Sequence, residues 1–360
     1  MATPHPSSDS PLVSVIVPAR NEEASLARCL ESLVSQTGVS FEIVVVDDAS
    51  TDRTRQIAES FSQVHTIDAP PLPPGWTGKN NALAAGAKAA RGKWLLFTDA
   101  DTVHHAGSLA RSLEEAKERG AALLSFSPEQ EVHGFWENAV MPVIFAELVC
   151  TYRPSEVCNP ASRAAVANGQ YVLITRAAYD AVDGHTAVAG SLLEDVALAQ
   201  AVKASGLRIF FRFGGDAVRT RMYRSFSQLR EGWTKNLVVL FPSALRLAAL
   251  RVTEFLLIAG STTVAVITIS RGSYRPGVLA AILAGIVITA FIRRIRMAHF
   301  SWTSNALALL GLPIFSYLLM RSRLAYKNGT VTWKGRTYGS KRGSGAAQGV
   351  TGVAFGRARL

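Results

Sequence analysis

Apolar residues along the chain fall into runs of three kinds. The first kind is short, continuous and β-branched. Val13 to Ala19, "FEIVVVDD" and "KWLLFTDAD" each read as a buried parallel strand. The second kind has helical spacing. "NEEASLARCLESLVSQ" places Leu26, Leu30 and Leu33 on one face, with Glu22 and Glu23 in a first turn where the helix dipole favours acids. "TDRTRQIAESF" is a second helix for Thr51 or Asp52 to cap, and "KNNALAAGAKAARG" an Ala-rich third. Strand–helix–strand units of this length predict an α/β fold, with a mostly parallel sheet and flanking helices. Ligands of such sheets sit beyond the carboxyl ends of the strands, so the polar residues ending these runs are where chemistry is expected.

The third kind is longer. "VTEFLLIAGSTTVAVITI" (252–269), "PGVLAAILAGIVITAFI" (276–292) and "SNALALLGLPIFSYLLM" (304–320) each approach the ~20 apolar residues a membrane helix needs. Residues 237–251, interrupted by Pro242 and Arg246, read as an interfacial helix. "GFWENAVMPVIFAELVC" fits either a helix on the membrane surface or one packed in a core. The expected organisation is a disordered segment over 1–11, a globular domain over 12–236 and the interfacial helix over 237–251. A transmembrane region over 252–320 and a basic, Gly-rich tail over 321–360 complete it.

Composition sharpens this layout. Apolar residues make up 48% of the 360 and charged residues 18%. A net charge of +11 suggests nucleic acid only until the charges are located. Beyond Glu254, the last acid, stand 14 Lys/Arg, so the part up to that residue carries −3 and the remainder +14. A near-neutral globular part followed by a basic, apolar part predicts a membrane anchor and no nucleic-acid partner. Cys29, Cys150 and Cys158 lack metal-ligand spacing and read as buried small hydrophobes in a reducing compartment. The polar start "MATPHPSSDSP" does not read as a secretory signal, so the catalytic part is expected on the cytosolic side of a cell membrane crossed more than once. Orientation is less simple. Arg293, Arg294 and Arg296 follow the second apolar segment, and Arg321, Arg323 and Lys327 follow the third. Both flanks cannot face the cytosol if the third segment crosses fully. Either it turns back at Gly311 to Pro313, or another stretch also spans.

The chemistry gathers at strand ends. In "TDADT", Asp99 and Asp101 lie two residues apart on an extended run and so point the same way. Paired carboxylates suit Mg2+ or Mn2+, which complete their shells with substrate phosphates. In "VVVDDAS", Asp47 and Asp48 suit hydrogen bonds from a base or ribose, and Asp48 equally suits a helix cap. "PARNEE" follows the first strand where a Gly-rich loop would stand, which excludes a P-loop and a G-x-G-x-x-G turn. A membrane-bound nucleotidyltransferase would also use paired acids and a metal, but would need a triphosphate loop that is missing there. A catalytically inactive scaffold is opposed by the intact Asp99 and Asp101.

The succession of "PARNE", "VVVDDASTD", "TDADT", "ANGQ" (167–170), "LLEDVALA" (192–199), "RMYRS" (221–225) and "GWTKN" (232–236) resembles the family 2 glycosyltransferases, which have the GT-A fold. The resemblance covers about 13–236. With "GWTGKNNA" (75–82) and "VTWKGRTY" (331–338) it is nearest the membrane-bound branch of carotenoid-acid and hopanoid-associated glycosyltransferases. It implies inverting transfer of one sugar from a nucleotide diphosphate-sugar to a lipid-like acceptor of carotenoid, hopanoid or polyprenyl type. Pro18, Ala19, Arg20 and Glu22, with Asp47 or Asp48, would hold the nucleoside. Asp101, assisted by Asp99, would hold the metal, and Asp99 and Ala100 would line the donor site. Asp195 matches the catalytic base, with Glu194 beside it. A base is dispensable if the acceptor is already ionised.

Lys79 fits either a phosphate at the following helix N-terminus or a solvated surface. Asn168 and Gln170 suit either acceptor contacts or a turn whose backbone shape requires Gly169. Gln228, Arg230 and Trp233 approach the Q-x-x-R-W of processive members with altered spacing, which favours a single addition. Arg230 and Trp233 fall in the acceptor or diphosphate region of the resemblance. Trp233 fits stacking on the acceptor or anchoring at the membrane interface. His104, His105, His133 and His185 are expected at the surface. The "WKGR" stretch argues for a return to the cytosolic face and an even number of crossings.

Overall fold

A computed structural model describes residues 10–338; most of the expected disordered start (1–9) and the tail from 339 lie outside the described residues. The described chain divides into two compact units. Unit 1 comprises the chain up to Glu129 and Pro154–Arg221, and unit 2 comprises Gln130–Arg153 and the chain from Met222. The expected single domain over 12–236 is therefore shared between the units. Residues 130–153 and 222–236 pack with the apolar C-terminal helices, because their own faces are too apolar to stand alone.

Unit 1 begins β1 (Val13–Ala19), α1 (Leu26–Val34), β2 (Phe41–Asp47), α2 (Thr54–Glu59), β3 (Val64–Asp68) and α3 (Gly78–Ala89). It continues β4 (Trp94–Phe97), β5 (Thr102–His104), α4 (Ser108–Glu118), β6 (Leu123–Ser127) and β7 (Glu129–Gln130). After α5 (Phe135–Thr151) of unit 2 it resumes with α6 (Pro154–Cys158), β8 (Val172–Thr175), α7 (Arg176–Ala181), α8 (Gly184–Ala187), α9 (Glu194–Ala204), β9 (Ile209–Phe213) and β10 (Val218–Thr220). The main sheet has the order β3-β2-β1-β4-β8-β6-β9. Its ladders are parallel except on either side of β8, which runs antiparallel to β4 and β6. The expected α/β class with a mostly parallel sheet holds. The buried runs Val13 to Val17 and Ile43 to Val46 form its centre, and α1 packs Leu26, Leu30 and Leu33 against that core.

Local details depart from the expectations. α1 starts at Leu26, so Glu22 and Glu23 precede it instead of filling its first turn. The Glu22 N–H is occupied by Thr54 Oγ1 at 2.7 Å, which holds that segment outside the helix. α2 is entered through Asp52, whose Oδ1 accepts from the Thr54 N–H at 3.0 Å. β3 carried no recognised signal, because its edge position leaves most of its side chains partly exposed. β4 ends at Phe97, so Asp99 and Asp101 lie in a turn, closed by the Thr102 N–H on the Asp99 carbonyl at 3.3 Å. Strand alternation therefore does not set their directions.

Unit 2 contains α5, α10 (Phe226–Leu240), α11 (Ala244–Ser270), α12 (Tyr274–Ile295), a 3-10 turn (Arg296–Ala298), α13 (Trp302–Asn328) and the hairpin β11 (Val331–Trp333) and β12 (Arg336–Tyr338). The expected interfacial helix over 237–251 is not a separate element. Leu237 to Leu240 end α10, the chain breaks around Pro242, and Ala244 opens one long helix that runs through the first apolar segment. α5 is a core helix, with Ala139 to Glu147 all buried. α13 runs unbroken through Gly311 to Pro313, so no re-entrant turn forms there. A Cβ on Gly311 would meet the Ala139 carbonyl at 1.8 Å, so glycine lets α13 lie directly on α5. By length and composition α11, α12 and α13 are each able to cross a membrane.

Candidate active site

Two neighbouring loops form the first half of the site. β1 and β2 are parallel and in register, with Ala19 opposite Asp47. Beyond their ends the Asp48 N–H donates to the Ala19 carbonyl at 2.8 Å, and Arg20 Nη1 donates to the Asp48 carbonyl at 2.6 Å. Asn21 Oδ1 accepts from the Thr51 N–H at 2.8 Å, and the Asn21 N–H donates to Ser50 Oγ at 3.1 Å. The two turns are thus laced by one backbone bond and three side-chain-to-backbone bonds, which fixes Pro18, Ala19, Arg20, Asp47 and Asp48 together. Asp47 is buried; its Oδ2 accepts from the Ser50 N–H at 3.4 Å, while its Oδ1 is buried without a hydrogen-bond partner. An orphaned buried acceptor is costly unless a ligand satisfies it, and a ribose hydroxyl or a base N–H has the needed donor.

The second half is a charge cluster. Lys79, in the first turn of α3, places Nζ 2.7 Å from Asp99 Oδ1 and 2.7 Å from Glu194 Oε1. Asp195, next to Glu194 in the first turn of α9, accepts from the Gly169 N–H on Oδ2 at 2.6 Å and from the Val196 N–H on Oδ1 at 2.8 Å. Sequence positions 79, 99, 169, 194 and 195 therefore converge. Gly169 has an ordinary φ, so backbone shape does not require glycine there. Space there is tight: a Cβ would lie 3.1 Å from Lys79 Nζ, 3.3 Å from Glu194 Oε1 and 3.4 Å from Asp195 Oδ2. The solvated reading of Lys79 fails for the same reason, since two carboxylates hold its ammonium.

Electrostatics follow from this crowding. Burial, reinforced by the Glu194 carboxylate, pushes Asp195 up to about 6 from the ordinary aspartate value. Burial alone would lower Lys79, but Asp99, Glu194 and Asp195 together hold it well above the usual lysine value. Lys79 therefore stays charged, while Asp195 is poised to take or release a proton near neutrality.

Several residues that hold this arrangement were not singled out in the sequence. Asn80 Nδ2 donates to the carbonyls of Val188, Ala189 and Ser191 at 2.7, 2.8 and 3.0 Å, which ties the loop before Glu194 to the start of α3. Behind the Asp99–Asp101 turn, Thr102 Oγ1 donates to the Asp99 carbonyl at 2.7 Å and Thr220 Oγ1 to the Asp101 carbonyl at 3.2 Å. Gln170 Nε2 donates to Thr220 Oγ1 at 3.2 Å, and Thr98 Oγ1 donates to the Gln170 carbonyl at 2.8 Å. His104 Nε2 lies 3.1 Å from Thr98 Oγ1 and 3.2 Å from Thr102 Oγ1.

His104 is thus buried, contrary to its expected surface position, and burial drops it to about 3, so it is neutral. His185 is buried too. Its Nδ1 lies 2.9 Å from the Tyr179 hydroxyl and its ring meets Phe97 edge-on, and burial lowers it to about 4. His133 is more than half exposed. Cys29 is buried as expected, whereas Cys150 and Cys158 are only partly so. Asn168 forms a turn, its Oδ1 accepting from the Gln170 N–H at 3.0 Å. Arg230 and Trp233 belong to unit 2. Trp233 is 2% exposed and packs against Phe145 and Tyr223, so its ring serves the core of that unit and not an interface.

The donor set suits a hard cation. Among the described residues no three His, Cys, Asp or Glu side chains form a metal cage. Two carboxylates, Asp99 and Asp101, stand in one turn, and the Lys79 ammonium already shows that Asp99 and Glu194 converge on a positive charge. A partial oxygen set of this kind fits Mg2+ or Mn2+ that finish coordination with phosphate and water.

Residues 14–158 match the model for glycosyl transferase family 2. Over those residues the chain is similar to that family. Among curated proteins it is similar to 4,4'-diaponeurosporenoate glycosyltransferase of Staphylococcus haemolyticus, 31% identical over 233 residues that cover 63% of this chain and 61% of that protein. The enzyme of the same name from Staphylococcus aureus (strain USA300) is 28% identical over 235 residues, 62% of this chain and 60% of that one. The chain thus spans about three fifths of the length of these relatives. In fold it resembles a mannosyltransferase from Pyrobaculum calidifontis solved with GDP-Man and Mn2+, at a TM-score of 0.50 and 18% identity over 88% of this chain and 87% of that one. The α/β unit is accordingly of the GT-A kind.

Proposed function

We propose that the chain is a membrane-attached glycosyltransferase that moves one sugar from a nucleotide diphosphate-sugar to a lipid-like acceptor of the carotenoid-acid type, with inversion. The observation that carries this reading is the convergence of Lys79, Asp99, Gly169, Glu194 and Asp195 beside the laced Arg20–Asp48 loops. The similarity to the staphylococcal enzymes supports the acceptor class.

In this reading Asp47 and the Ala19–Arg20 turn bind the nucleoside, and Lys79 faces the diphosphate from a helix N-terminus. Asp99 and Asp101 would hold Mg2+ or Mn2+, which supplies positive charge against the charge developing on the leaving diphosphate. Asp195 is oriented by the Gly169 and Val196 amides, and each of its oxygens keeps a lone pair free. A hydroxyl acceptor bonds to the anomeric carbon as the bond to the diphosphate oxygen breaks, and its proton passes to Asp195. A carboxylate acceptor has no proton to lose, and Asp195 then acts through position and charge alone. Gln170 and Thr220 steady the Asp99–Asp101 turn from behind. The test is a thermal-shift screen of the full chain against sugar nucleotides with Mn2+ or Mg2+. One donor should raise Tm in proportion to occupancy, and Asp99→Asn should abolish the shift. If no sugar nucleotide shifts Tm, the reading is wrong.

A further inference from the structure

The three apolar helices of unit 2 are alike in composition and unlike in packing. In α13, 50% of the most apolar stretch is buried within the protein, against 17% in α11 and in α12. The burial of α13 is also polar and specific. Ser304 Oγ donates to Asn138 Oδ1 of α5 at 2.7 Å, and Ser316 Oγ to the Ala248 carbonyl of α11 at 3.1 Å. Tyr326 OH donates to the Lys235 carbonyl of α10 at 2.7 Å. Ser322 goes further: its Oγ accepts from the Val238 N–H at 3.0 Å and donates to the Thr234 carbonyl at 2.7 Å. It thus inserts into the hydrogen-bond ladder of α10. These bonds run from one end of α13 to the other and leave it a narrow apolar face, Leu310, Tyr317, Met320 and Leu324, at helical spacing.

α11 and α12 are the opposite. They pack antiparallel on each other and expose adjacent apolar pairs such as Leu256 and Leu257, Val266 and Ile267, Leu279 and Ile282. Apolar surface this broad is stable only in hydrocarbon. At the base of the hairpin, Arg251, Glu254 and Arg294 pair with one another and with Glu147 of α5, side chains 7–13% exposed. Charges are costly in lipid, so this cluster marks where the hydrocarbon ends. From Phe255 to Ser270 the helix rises about 24 Å at ~1.5 Å per residue, about four fifths of a ~30 Å bilayer core.

We infer that the chain crosses the bilayer twice, through the α11–α12 hairpin alone, and that α13 lies at the membrane surface with only its narrow apolar face in lipid. The inference rests on the membrane attachment proposed above and fixes its topology. It also removes a conflict in the charges. With α13 not crossing, Arg293, Arg294 and Arg296 share one side with Arg321, Arg323 and Lys327, against only Arg271 and Arg275 at the hairpin tip. That asymmetry is the one expected of a cytosolic side facing anionic lipid.

Cysteine labelling of the full chain in sealed vesicles of known orientation tests this, using a membrane-impermeant maleimide with the unmodified chain as background. Ser273→Cys, at the hairpin tip, should label from the side opposite to Met297→Cys and Thr332→Cys, which should label together. Arg271→Cys, Trp302→Cys and Thr337→Cys repeat the test should a variant not accumulate. Labelling of Met297→Cys and Thr332→Cys from opposite sides overturns the inference, because α13 then crosses. Labelling of all three from one side overturns it differently, since no helix then crosses. Neither outcome touches the sugar-transfer reading, which donor binding tests separately.

Discussion

Two buried charge clusters in this molecule differ in one respect, their balance. In unit 2, Glu147 and Glu254 meet Arg251 and Arg294, two acids against two bases. In unit 1, Lys79 faces Asp99, Glu194 and Asp195, one base among three acids. A balanced cluster has settled its own desolvation and ties helices together. In the second, three acids crowd around one ammonium, and burial with the Glu194 carboxylate raises the proton affinity of Asp195. Under the proposed function, acids held beside a helix N-terminus await a ligand that brings positive charge and phosphate. The first cluster ties helices together, and the second is the proposed seat of chemistry.

The sharpest break of that contrast is Asp195→Asn. It should lower turnover on a hydroxyl acceptor by about 10²–10⁴-fold while leaving the donor-induced Tm shift nearly intact. Equal loss on a carboxylate acceptor would show that no proton transfer is involved. Next comes Arg294→Met, which leaves Glu147 and Glu254 short of a partner. It should cost about 3–5 kcal/mol in detergent denaturation, and adding Glu254→Gln should recover part of the loss.

The third prediction concerns pH. Asp195 ionises near 6 in the folded chain and near 3.8 when unfolded. Its folded value is raised, so its contribution to stability is present below about pH 4 and lost as pH rises through 6. Catalysis by the ionised base runs the other way, so turnover on a hydroxyl should rise through pH 6 while this share of stability falls. Lys79→Met removes a charge that lowers Asp195, so the midpoint of that activity profile should move upward. A midpoint unchanged in Lys79→Met would contradict the coupling. The smallest effect is expected of His104→Gln, which disturbs two hydroxyl bonds behind the Asp99 turn and should cost about 1 kcal/mol of stability.

Much of this was legible in the sequence, for identifiable reasons. β1, β2 and β4 are continuous apolar runs, so their ends and the acids Asp47, Asp48 and Asp99 were visible at once. Lys79 was placed at a helix N-terminus, but its partners lie at positions 99 and 194, beyond any local pattern. Periodicity reports apolar faces and is silent on polar atoms that satisfy each other inside. Thr98, Thr220 and Asn80 escaped notice for that reason, and so did the burial of His104 and His185. Gly169 drew notice for backbone shape, whereas its φ is ordinary and its neighbours are charged side chains that leave no trace in a local motif. The division into two units was hidden as well, because α5 meets α13 across more than 150 positions of sequence.

One measurement bears most directly on the claim that the Lys79 cluster transfers sugar. The full chain, with Mn2+ and the donor chosen by thermal shift, is given a labelled sugar nucleotide and a carotenoid carboxylic acid in mixed lipid. Label should enter the organic phase with the wild type and not with Asp99→Asn. Label that remains aqueous with a donor shown to bind, or equal transfer by Asp99→Asn, would contradict the claim.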